Sequence, residues 1–152
     1  MIKVVFVCLG NICRSPMAEA VFRQMVIEEG LDNKIDIDSA ATSSWEHGNP
    51  VHPGTRERLA KEGIGVDGMY SRPLSSSDLD AHYIVGMDES NISNIKRFIA
   101  GRASGEVKRL LEYANVHRDI ADPWYTDNFE VTYQDVVQGC QALLDEIKRE
   151  LN

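Results

Sequence analysis

The sequence predicts an α/β fold, a doubly wound sheet with helices packed on its faces, and three observations carry that reading. Residues Ile2 to Val7 are β-branched or aromatic apart from Lys3, with no polar alternation, which suits a strand buried on both faces. Gly10 and Asn11 then break the run, and Ser15-Pro16 signals a helix N-terminus, because serine caps free amides and proline tolerates the first helical turn. Further along, apolar runs alternate with amphipathic segments, as in a strand–helix–strand succession. At 152 residues the chain is expected to be one domain, 1–152, around one core.

The first helix is expected from Ser15 to about Glu29, with Ala18, Val21, Phe22 and Met25 inward and Gly30 ending it. A short second strand, Ile35 to Asp38, leads into a loop from Ser39 through Trp45. Pro53 or its neighbour starts a second helix that stops at Gly63, and Gly63 to Ser77 reads as a connection rich in Gly and Ser and broken by Pro73. His82 to Met87 is another apolar run, and Asp88-Glu89-Ser90 opens a helix with Ile92, Ile95, Phe98 and Ile99 on one face. Val107 to Tyr113 is ambiguous, since Lys108, Arg109, Leu110, Leu111 and Glu112 favour helix by propensity. The last helix is explicit: Tyr133, Val136, Val137, Cys140, Leu143, Leu144, Ile147 and Leu151 form a single stripe.

Composition excludes several function classes. Sixteen basic against 24 acidic residues give a formal charge of −8, the wrong sign for general nucleic-acid binding. The apolar run after Met1 is too short for a signal peptide or a membrane span, so a cytoplasmic protein with no membrane partner is expected. Cys8, Cys13 and Cys140 do not form a disulfide framework, and a reducing compartment would keep Cys8 reactive. Cys8 and Cys13 lack the CxxC spacing and His47, His52, His82 and His117 are scattered, so neither a metal nor a cofactor is expected.

Between the first strand and the first helix, residues Cys8 to Arg14 are left to form a tight loop. Such a loop turns backbone amides toward a bound anion and adds the positive end of the helix dipole. Cys8 opens the loop and Arg14 closes it, so a sulfur sits beneath an oxyanion while a guanidinium grips two of its oxygens. The same groups favour thiolate over thiol, and thiolate is the nucleophile. Free cysteines are more often small buried hydrophobes, and a Cys-x5-Arg spacing alone is common; the flanking strand and helix start set this one apart.

Cys8-Leu9-Gly10-Asn11-Ile12-Cys13-Arg14-Ser15-Pro16 resembles the signature loop of the low-molecular-weight protein tyrosine phosphatases. The resemblance implies a flavodoxin-like, four-stranded parallel sheet, with the fourth strand falling in Val107 to Tyr113. It makes Trp45, by composition a loop aromatic that would cover core, one wall of a substrate cleft. Asp122-Pro123-Trp124-Tyr125 is similar to the family's general-acid loop, with Trp124 where a tyrosine is usual. Relatives often carry a supporting histidine near the position of Arg72; here Met69, Tyr70 and Ser71 occupy that region, and Ser43, Ser71 or Asn11 are the expected replacements.

The expected chemistry is hydrolysis of phosphotyrosine and small aryl phosphates through a cysteinyl phosphate. Cys8 attacks phosphorus, Arg14 and the Leu9-to-Ser15 amides hold the oxygens, and Asp122 protonates the leaving phenolate. Leu9, Gly10, Asn11, Ile12, Cys13, Ser15, Trp45, Trp124 and Tyr125 complete the expected substrate site. Ile12 points to tyrosine, because relatives that favour phosphoarginine carry a smaller polar residue there. An arsenate reductase would need a further cysteine pair, which residues 70 to 95 lack. A non-catalytic phosphotyrosine-binding module is the rival from another class, although no group needed for turnover is missing. Tyrosine-phosphorylated proteins are the expected partners of a monomeric enzyme, and Cys13 is the expected redox partner of Cys8, as in relatives with both cysteines.

Overall fold

Four strands form one all-parallel sheet in the order β2-β1-β3-β4, in a computed structural model describing residues Met1–Asn152. They are β1 (Ile2–Cys8), β2 (Ile35–Ala41), β3 (Tyr83–Gly86) and β4 (Glu106–Arg109). Five α-helices join and follow them: α1 (Arg14–Glu28), α2 (Pro53–Ala60), α3 (Glu89–Ile99), the single turn α4 (Pro123–Thr126) and α5 (Phe129–Leu151).

β1 explains the arrangement. Its side chains alternate in direction and both sets are buried, so each face of the sheet needs a cover. Val4, Phe6 and Cys8 pack in one core with Met17, Val21 and Phe22 of α1 and Val136, Cys140, Leu143 and Leu144 of α5. Val5 and Val7 pack on the opposite side with Ile84 of β3 and Ile95 and Ile99 of α3. The chain steps from β1 outward to β2, then back across to β3, so strand order reverses between β1 and β3. In open parallel sheets ligands bind at the carboxyl ends of strands beside such a reversal. Cys8 ends β1 and Asp88 follows β3, on the two sides of that crevice.

Three sequence expectations change in detail. β2 continues past Asp38 to Ala41, because Ser39, Ala40 and Ala41 pair in register with Phe6, Val7 and Cys8; pairing with a central strand outweighs the weak β preference of Ser and Ala. The ambiguous stretch divides, with Glu106–Arg109 as the edge strand and Leu110–Ala114 as a 3-10 turn. Propensity and topology thus each describe half of it. The connection after Gly63 gains a 3-10 turn at Ser76–Asp80, where Asp78 is buried and grips Arg72.

Candidate active site

The loop after β1 is shaped by donors from outside it. Ser43 donates to the Leu9 carbonyl through its amide and its hydroxyl, at 3.1 and 2.8 Å. Ser71 Oγ donates to Gly10 O at 2.7 Å, the His52 amide to Ile12 O at 2.8 Å, and Thr55 Oγ1 to Cys13 O at 3.2 Å. With the carbonyls held outward, the amides of Gly10, Ile12 and Cys13 donate to no group of the protein. Free amides around a sulfur are what an anion cradle requires.

Asn11 sets the turn. It is a non-glycine residue at φ 56°, a left-handed conformation that asparagine tolerates better than most residues. Its side chain is fully used: Nδ2 donates to Ser15 Oγ at 2.7 Å and to Ser39 Oγ at 2.9 Å, while Oδ1 accepts the Arg72 amide at 3.2 Å. Ser39 in turn donates to the buried Glu19 carboxylate at 2.5 Å. Asn11, Ser43 and Ser71, the three expected supports, all hold the loop. Ser39, Glu19 and Arg72 extend that support and were not anticipated.

Three donors surround the Cys8 sulfur. Cys8 Sγ lies 3.1 Å from Ser15 Oγ, 3.3 Å from the Asn11 amide and 3.5 Å from the Ser15 amide. Because Ser15 Oγ already accepts from Asn11, its own proton is free to point at the sulfur. This corrects the expected helix cap: Cys13 occupies the cap position without a side-chain bond, and Ser15 lies inside the first turn of α1, turned toward Cys8.

Arg14 is aimed by groups from elsewhere in the chain. Its Nη1 donates to Asp88 Oδ2 and to Ile120 O, both at 2.8 Å, and its Nη2 lies 3.4 Å from Asp122 Oδ2. Asp88 also caps α3, its Oδ1 accepting the Asn91 amide at 2.7 Å. Burial opposes the charge on Arg14, but Cys8, Asp122 and Asp88 more than offset it and hold the guanidinium pKa above its ordinary value. Asp122 itself caps α4, accepting the Trp124 amide at 3.0 Å through Oδ1.

These residues enclose a cleft of about 160 Å³ lined by Cys8, Leu9, Gly10, Ile12, Cys13, Arg14, Trp45, Glu46, Asp122, Trp124 and Tyr125. Trp45, Trp124 and Tyr125 form an exposed aromatic rim. Of the expected substrate-contacting residues, Asn11 and Ser15 lie behind the cleft, where they hold the loop and the sulfur. Glu46 was not anticipated as lining, nor Asp88 as the partner of Arg14. A larger hollow of about 270 Å³ lies behind the loop among Asn11, Glu19, Asp38, Tyr70 and Arg72. It is lined by no cysteine, so the cleft around Cys8 is the candidate site. No helix is long and apolar enough to cross a membrane.

Known proteins resemble this chain over nearly its whole length. Residues 3–152 match the family model described as low molecular weight phosphotyrosine protein phosphatase. The low molecular weight protein-tyrosine-phosphatase YfkJ of Bacillus subtilis is 48% identical over 99% of this chain and 98% of its own. PtpA of Staphylococcus aureus, of the same description, is 46% identical over 100% of this chain and 97% of its own. The crystal structure of YfkJ superposes with a TM-score of 0.95 at 47% identity, covering 100% of this chain and 98% of that one.

Proposed function

The chain belongs to the low molecular weight phosphotyrosine protein phosphatases, hydrolases that act through a cysteine nucleophile, and we propose that here Cys8, Arg14 and Asp122 divide the chemistry. The single observation that carries the assignment is their convergence on one cleft, with the Cys8 sulfur beneath a loop of free amides. The Cys8 thiolate attacks phosphorus, forming an S–P bond as the P–O bond to the tyrosyl oxygen breaks; Asp122 gives that oxygen its proton. Water then attacks phosphorus, the Asp122 carboxylate takes its proton, and the S–P bond breaks to release phosphate and thiolate. Ser15 supports this last departure, since its hydroxyl lies 3.1 Å from the sulfur and can donate to the departing thiolate.

Arg14 and the loop amides neutralise the equatorial oxygens. A bound phosphate takes over the Nη2 donor that faces Asp122 Oδ2 at 3.4 Å, leaving that oxygen to carry the transferable proton. Trp45, Trp124, Tyr125 and Ile12 supply a depth and apolar wall that fit an aryl ring, which supports phosphotyrosine on proteins as the substrate class. With Cys8, Cys13 and Cys140 all free, a reducing cytoplasm suits the enzyme, and we infer that it acts there as a monomer.

Asp122→Ala tests the acid. A proton donor matters most for a basic leaving oxygen, so kcat/KM should fall about 10²- to 10⁴-fold for phenyl and tyrosyl phosphates and much less for an activated nitrophenyl phosphate. A uniform loss across a series of aryl phosphates would assign Asp122 to structure instead.

Redox protection of the nucleophile is a further part of this reading. Burial, and then the negative charge of Cys8, pushes the Cys13 pKa up to about 12, so Cys13 is held as a thiol beside the reactive sulfur. Peroxide converts the Cys8 thiolate to a neutral sulfenic acid, which removes that charge and allows Cys13 to condense with it, forming a disulfide and water. Peroxide inactivation should therefore be reversed by a thiol reductant, with a Cys8–Cys13 peptide link seen by mass spectrometry. Cys13→Ser should stay active but lose the recovery; full recovery in that variant would remove Cys13 from this role.

A further inference from the structure

His52 stands where two parts of the site meet. Its main-chain amide donates to Ile12 O of the signature loop at 2.8 Å. Its ring caps α2, Nδ1 accepting the Gly54 amide at 3.0 Å, and this bond orients the ring. That orientation puts it between two aromatics from the far side of the cleft: edge-on to Trp124 at 5.8 Å between centroids, and stacked on Phe129 at 5.2 Å and 23°. The stack is built into the main chain, because a Cβ on Gly54 would meet the Phe129 ring at 2.3 Å.

Trp124 is otherwise 57% exposed, and His52 is its only ring-to-ring neighbour. The amide of Trp124 is also the group that holds Asp122 Oδ1 at 3.0 Å. A continuous path of contacts therefore runs from the loop that holds the phosphate, through His52 and Trp124, to the carboxyl assigned as proton donor. α4 is a single turn, too short to fix its own orientation.

We propose that His52 is a positioning residue for the acid step: it ties Trp124 to the signature loop and so holds the Asp122 carboxyl at a fixed place over the cleft. This rests on the assignment of Asp122 as general acid. The role belongs to the ring, whereas the hydrogen bond to Gly54 serves α2, and the two are separable by substitution. His52→Asn keeps an acceptor for the Gly54 amide, since asparagine is a good cap, and deletes the ring. His52→Phe keeps a ring beside Trp124 and deletes the acceptor.

The test measures kcat/KM for aryl phosphates of graded leaving-group basicity in both His52 variants, with Asp122→Ala alongside and thermal melting as a check on folding. For His52→Asn, kcat/KM should fall about tenfold for the most basic leaving groups, a part of the 10²- to 10⁴-fold that complete loss of the acid brings. It should stay within about twofold of wild type for the most activated substrate, where the proton donor is not needed. His52→Phe should restore most of the dependence seen in the wild type. A loss in His52→Asn that is absent or equal across the series, while Asp122→Ala shows a graded one, overturns the role of His52 and leaves the acid assignment standing. An equal loss across the series in Asp122→Ala overturns both.

Discussion

Cys8→Ser is expected to abolish turnover while leaving the phosphate site in place. The loop geometry does not depend on the sulfur: its carbonyls are held by Ser43, Ser71, His52 and Thr55, and its turn by Asn11. What the sulfur supplies in the proposed mechanism is the nucleophile, against which the Ser15 hydroxyl and the amides of Asn11 and Ser15 are placed. A serine hydroxyl in the same cradle keeps its proton at neutral pH, and no base lies against it to remove one. The loss in kcat should be on the order of 10⁴-fold or more, the scale found when a covalent nucleophile is deleted elsewhere. Inorganic phosphate or vanadate should still bind within a few-fold of wild type, measured by calorimetry. Turnover near the wild-type level would remove Cys8 from the mechanism, and loss of anion binding would mean that the thiolate shapes the cradle.

The cradle was legible in the sequence because its parts are local. A buried strand, a Gly-Asn break and a Ser-Pro start lie within 15 consecutive residues, and that spacing marks a loop with Cys8 at one end and Arg14 at the other. What orients them is not local, and there the sequence was silent. Asp88 carries a helix-cap signal that fully explains its presence, so its second oxygen, on Arg14, could not be read; its position just after β3, across the strand reversal from Cys8, was the available clue. Ser15 shows the opposite case. Its cap signal was strong, yet the helix begins one residue earlier and the hydroxyl turns inward, accepting from the Asn11 side-chain amide and lying 3.1 Å from Cys8 Sγ instead of accepting from a free helix amide.

The strand boundaries followed the same division. Ser39 reads as loop by composition, but its place in β2 next to Phe6 is what delivers its hydroxyl to Asn11. Glu46 and His52 sit in a stretch of turn composition whose path is decided by the loop it packs against, and no local periodicity marks either one. The placement of His52 appears only when Val51 to Thr55 is laid against the signature loop by the bonds to Ile12 and Cys13.

The second large effect is expected at Arg14→Lys, a substitution that keeps the charge and removes the geometry. Nη1 is committed to Asp88 and to the Ile120 carbonyl, which fixes the plane of the guanidinium and leaves the rest of the group for the anion. Lysine has one nitrogen where arginine has three. Drawn to Asp88 Oδ2 and Ile120 O, its ammonium cannot at the same time reach two phosphate oxygens in one plane. Because a positive charge remains beside Asp88 and Asp122, neither carboxylate is left unpaired, and the variant should fold with little change in thermal midpoint. kcat should nevertheless fall about 10²- to 10³-fold, the cost of removing one well-placed donor from a developing oxyanion, and phosphate should bind more weakly. The loss should be equal across leaving groups, since Arg14 acts on the equatorial oxygens and not on the departing one. That flat response, set against the graded one expected for Asp122→Ala, separates the two roles in one substrate series. Activity within a few-fold of wild type would show that charge alone suffices at this position and that the fork held by Asp88 is not used.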